Sequence, residues 1–127
     1  MTDVEAIIRS WLAAIAAITA LTGQRIYADT ELPPTYAPAD GPAILLIRRG
    51  GGQDESGHVL RPSIQFRCYG ETTVLARQLD RTLFDGINDQ RYGSIKWSRC
   101  EVQGQLVRDP ATGWPYVISF YTFHVGN

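Results

Sequence analysis

The sequence has a single lysine, Lys96, two histidines, His58 and His124, and two cysteines, Cys68 and Cys100. Each scarcity removes a class of function. A phosphate loop of the G-x-x-x-x-G-K-[ST] kind needs a lysine directly after its glycines, and Lys96 follows no such stretch. Two cysteines make neither a disulfide framework nor a zinc motif, so both are expected to be small buried apolar residues in a reducing compartment. Excess positive charge is also missing. The formal net charge is −1, whereas general nucleic-acid binders draw most of their affinity from a basic face. The uncharged run from Ser10 to Gln24 is shorter than the roughly 18 to 20 residues that span a bilayer. Asp3 and Glu5 ahead of it carry the wrong sign for a secretory leader. A soluble protein without export is expected.

What remains reads as one α+β domain over residues 1–127, without an internal repeat. Thr2 and Glu5 have capping-box spacing, and Val4, Ile7, Ile8, Trp11, Leu12, Ile15, Ile18 and Leu21 recur at helical steps up to Gly23, a natural C-cap. One helix is predicted there. "QRIYA" reads as a short strand, and "ELPPTYAPADGP" as an extended surface connection, because four prolines exclude regular structure. "AILLIRR" and the alternating "SIQFRCY" make a strand pair. Leu75, Leu79, Leu83 and Ile87, widened by Ala76 and Phe84, predict a second helix capped by Thr72 or Thr73. Arg77, Gln78, Asp80, Arg81 and Asp85 would form its solvated face. "SIKWSRCEVQGQLV" and "WPYVISFYTFHV" complete the strands, with Ile95 and Trp97 expected opposite Lys96 and Ser98. The expected architecture is an antiparallel sheet of about four to five strands with two helices packed on one face, in the order α-β-β-β-α-β-β. Both faces of the last strand are apolar, so a neighbouring subunit is expected to cover the second face.

The stretch "IRRGGGQDESGHVLRP" invites a reading as a site, and chemistry argues against it. A strand, not a helix, follows the glycines, which excludes a dinucleotide fingerprint. Asp54, Glu55 and His58 match no metal-ligand spacing, and Ser56 and His58 lack a rigid frame for nucleophilic catalysis. The expectation is a mobile contact arm over about 48–62, with no catalytic residue, cofactor or metal.

The whole layout resembles the tail-completion, or tail-terminator, proteins of long-tailed bacteriophages and of related prophage or gene-transfer particles. The alanine-rich first helix with Gly23 and "RIY", the "PAILLI" strand, the hairpin with its polar arm, the amphipathic second helix and the terminal hairpin "DPATGWPYVISFYTFHV" carry that resemblance. It implies a ring of six identical subunits at the neck end of a virion tail, assembled in the host cytoplasm. Such a ring caps the tail tube, stops its polymerisation and offers a surface for head-to-tail joining. The implied partners are other copies of itself, the tail tube protein and a head-tail connector or stopper protein. No membrane or sequence-specific nucleic acid is implied, although DNA would pass through the lumen. Contact residues are expected at Arg48, Arg49, Asp54, Glu55, His58 and Arg61 from the arm, and at Trp114, Tyr121 and Phe123 near the last strand. The competing readings are another phage neck or tail-tip subunit, a module stacking nucleic-acid bases on its sheet aromatics, and a small enzyme or ligand-binding α+β domain. A stable monomer or dimer with a buried polar cluster would favour the last.

Overall fold

Where the periodicity predicts one helix, the chain forms two. The computed structural model describes residues 3–53 and 59–126. Helix α1 (Val4–Ala14) starts at Asp3, whose carboxylate accepts a hydrogen bond from the Ala6 amide at 3.1 Å, so the cap is Asp3 rather than Thr2. Ile15 then turns extended, and α2 (Ala16–Thr22) leaves at a bend of 91°. The apolar stripe serves two surfaces. Val4, Ile8 and Leu12 are buried over the sheet, while Ile15 and Ile18 crowd Gly86 of a later helix, where a Cβ would stand 3.2 Å from Ile15 Cδ1. A straight helix cannot present both sets. Among the described residues no single helix is long and apolar enough to cross a membrane.

The strands are β1 (Ile26–Ala28), β2 (Ala43–Gln53), β3 (Val59–Tyr69), β4 (Ile95–Arg108) and β5 (Pro115–Gly126), with α3 (Thr73–Ile87) between β3 and β4. They form one five-stranded sheet in the order β1-β2-β3-β5-β4. The pairs are antiparallel except β1 with β2, which run parallel. Three helices, not two, lie on one face. Beneath them Ile44, Leu46, Ile64, Phe66, Val117, Tyr121 and Phe123 make the main core with Leu12, Leu79 and Leu83.

The proline-rich segment differs most from expectation. It crosses the second face of the sheet, takes a 3-10 turn at Pro38–Asp40, and buries Tyr36 against Ala43, Leu45, Tyr69 and Tyr116. The Tyr36 ring meets Tyr27, Tyr69 and Trp114 edge-on at 5.9–6.4 Å, and its hydroxyl donates to the Gly41 carbonyl at 2.8 Å. Part of the second apolar face is therefore covered by this chain itself. Tyr36→Phe removes only the hydroxyl bond and should lower unfolding free energy by about 1 kcal/mol, measured in urea. An unchanged midpoint would mean the hydroxyl bond adds nothing.

The glycine stretch is strand. The β2–β3 ladder runs on through Gly51↔Pro62, Gly52↔Arg61 and Gln53↔Leu60, with an irregularity between Arg48 and Gly51. Gly50 there has φ of 103°, a conformation open to glycine but strained for other residues. Leu60 and Val59 also pair with Val125 and Gly126 of β5. The segment expected as a mobile arm over 48–62 is thus ladder over 48–53 and 59–62. The rest of it lies outside the described residues.

Two further expectations shift. A bulge between Ile95 and Trp97 turns Trp97 to the second face beside His124 and buries Ser98, so Ile95 and Trp97 do not share a side. On α3, capped by Thr72, one of the two candidates, Phe84 is 36% exposed, and Asp80 turns from the solvated face toward β4 and β5. Both cysteines are free, Cys68 buried and Cys100 half-buried.

Candidate functional site

The residues expected to make contacts do not converge. Arg48 is exposed and its guanidinium lies 3.8 Å from Glu5 of α1. Arg49, on the opposite face of β2, lies over the Phe120 ring at 4.5 Å. Arg61 is exposed on β3, and Trp114 is half-buried against Tyr36. Asp54, Glu55 and His58 lie outside the described residues. Tyr121 and Phe123 are corrections, being 1% and 0% exposed. As β5 is a central strand, Tyr121 and Phe123 point under the helices into the main core and are closed to a partner.

The second face combines arginines with aromatic rings, at the border of the part covered by Tyr36 and beyond it. Besides Arg49 over Phe120, Arg67 lies over Tyr116 at 5.2 Å and Arg99 over Trp97 at 4.8 Å. Stacking of this kind holds guanidinium groups flat on the sheet and leaves their edges open to acceptors.

The helix side holds a different site, which sequence reasoning missed. An open cavity of about 350 Å³ lies between α3, β4 and β5, lined by residues including Asp80, Phe84, Asp85, Cys100, Gly104 and Ser119. Asp80 Oδ1 and Ser119 Oγ are both buried without a hydrogen-bond partner, and Ser119 is 1% exposed. Buried polar groups are ordinarily satisfied, and here the Ser119 hydroxyl and the Asp80 carboxyl have chiefly each other as polar neighbours. Burial is the largest influence on the Asp80 carboxyl and pushes it above the usual carboxylate range; the nearby Ser119 hydroxyl and Arg81 charge offset only part of this. Burial likewise raises the Cys100 thiol and the Tyr121 phenol. Both stay protonated near neutrality. The cavity exists because β4 carries Gly104 at its mouth. A Cβ there would stand 2.5 Å from Asp80 Oδ2 and would also strike Val117 Cγ1.

Three small anomalies in the sequence mark this place. Asp80 interrupts the stripe Ala76, Leu83, Ile87 at helical spacing; Ser119 interrupts Val117, Tyr121, Phe123, Val125 at strand spacing; and Gly104 sits inside a strand. Each alone is ordinary. Only the fold shows that they meet.

Among the described residues no group of three or more histidine, cysteine or acidic side chains is placed to hold a metal ion. The sheet is unlike at its two ends. β1 is three residues long and leaves β2 without an outer neighbour beyond Leu46, while β4 is a fourteen-residue edge broken by three irregularities. Such bulges blunt an edge against indiscriminate strand addition.

No family model matches the sequence. No curated protein matches it either. A solved structure does, described as the virion of a native gene transfer agent particle. This chain shares its fold with a chain of that virion. The match has a TM-score of 0.73 and covers 97% of this chain and 94% of the other, at 15% identity. The likeness therefore runs through nearly the whole length of both chains.

Proposed function

We propose that this protein is a structural subunit of a phage-like virion, acting as a tail terminator without catalysis. In this reading six copies close into a ring at the neck end of the tail. The ring caps the last layer of tail tube protein, stops its polymerisation and presents its other side to a connector or stopper protein. The observation that carries the reading is the end-to-end likeness to a chain of a gene transfer agent virion. One feature supports it: among the described residues the two edge strands, β1 and β4, differ in length and regularity, which gives unlike surfaces of the kind a head-to-tail contact joins.

Native mass from micromolar to about millimolar protein, with negative-stain images of the largest species, tests it. The expected result is a closed six-fold ring, formed alone or on added tail tubes. A monomer under both conditions, with no co-sedimentation on tubes, would overturn it.

A further inference from the structure

We propose that the cavity between α3 and β4 receives a guanidinium group from the β2 edge of a second copy of this chain, with Arg48 as the donor. The inference rests on the ring reading and names the contact that would close it. The cavity holds Asp80 Oδ1 and Ser119 Oγ, neighbours of one another with no other side-chain partner at normal hydrogen-bond distance, and the carboxylate of Asp85 at its wall. Its own arginine does not satisfy them. Arg81 lines the cavity, yet the ion pairs among the described residues are Arg48–Glu5 and Arg99–Asp89, and Asp80 is in neither. A planar guanidinium presents several donors in a fork, so one group can meet a carboxylate and a neighbouring hydroxyl together, which an ammonium does less well.

The rim fits a protein partner. Phe84 is 36% exposed at the cavity and Leu106 38% exposed beside it, with Val74 68% exposed further along the same helix. Apolar side chains around a buried polar acceptor are the pattern of an interface anchor point, where the ring of contacts keeps water out.

The opposite end of the sheet supplies the complement. β1 pairs β2 only over Ile44–Leu46, so among the described residues Arg48 lies where β2 has no outer strand. Arg48 stands opposite Ile64, whose side chain is buried beneath the helices, so Arg48 is on the same face of the sheet as the cavity. Its contact with Glu5 is long, and 37% of its side chain is exposed, which leaves it weakly held. When β4 of one copy meets β2 of the next with the helices kept on one side, Arg48 approaches the Asp80 cavity. The contact joins unlike surfaces and repeats around a ring.

The experiment uses the full chain with Asp80→Asn, Arg48→Gln and the double variant, comparing assembly by sedimentation and folding by thermal melts. Either single variant should raise the concentration for half-assembly by at least roughly tenfold, the loss expected when one partner of a desolvated pair is removed. The double variant should be no worse than either single one. Asp80→Asn should melt no lower than the parent chain, since it relieves a buried charge; if it fails to fold, the surface variant Arg48→Gln decides. A parent ring matched by an unchanged Asp80→Asn ring, or a double variant whose loss is the sum of the two, overturns this contact alone. A parent chain that stays monomeric alone and on tubes overturns the contact and the ring together.

Discussion

Phe66→Ala should destabilise the protein by about 3–5 kcal/mol, the usual cost of emptying an aromatic site in a packed core. Phe66 is completely buried on β3, edge-on to Tyr121 at 5.3 Å and 6.2 Å from Phe123. It stands where β3, β5 and the helices meet, so the hole has few flexible neighbours to fill it. Domains of this size are ordinarily stable by about 5–15 kcal/mol, so the variant would lose a large share of its margin. Chemical denaturation should show a lower midpoint with a similar slope. A loss below about 1 kcal/mol would mean the aromatic cluster is looser than these contacts imply.

Gly70→Ala should cost about 2–3 kcal/mol, although it adds only one methyl group. Gly70 links β3 to α3 and is buried. A Cβ there would stand 2.6 Å from the Ala76 amide nitrogen, 3.0 Å from the Leu75 carbonyl carbon and 3.1 Å from Ala76 Cα. All three are backbone atoms of a hydrogen-bonded helix, so relief requires the first turn of α3 to move off the sheet. That turn is pinned by Thr72, whose hydroxyl accepts from the Leu75 amide at 3.2 Å. Gly86→Ala makes the contrast. Its new methyl would meet the Ile15 and Ile18 side-chain tips, which can rotate, so a smaller loss is expected. Equal losses at the two positions would remove the backbone explanation.

The features legible in the sequence were those set by local rules. Helix α3 and its Thr72 cap, the strand at "RIY", the paired strands around the glycines and the two apolar faces of β5 all follow from spacing and cap chemistry. The misses depended on long-range placement. Ile15 sits within a good helical stripe, and only the position of α3 shows why the helix must break there. The prolines between Leu32 and Pro42 correctly exclude a helix or strand, but nothing local says that Tyr36 will lie across Tyr69 and Tyr116. Period-two alternation divided β5 into two faces without saying which would be covered by helices, so Tyr121 and Phe123 were assigned to a surface they do not reach. Asp80 looked solvated because its neighbours Arg77, Arg81 and Asp85 are polar. Its burial depends on Gly104 and Ser119, more than twenty residues away.

The insertion of β5 between β3 and β4 governs the order of folding. During synthesis β3 and β4 emerge before the strand that joins them; residues 115–126 then pair locally with β4 across a short turn and at long range with β3. Until then β1, β2 and β3 can associate, but β4 has no partner within this sheet. Pairing of this non-local kind closes late and slowly, and leaves unpaired strand exposed to aggregation meanwhile. A ribosome-bound chain stalled before Trp114 should therefore be protease-sensitive throughout β4, and protection there should appear only once residues 115–126 are made.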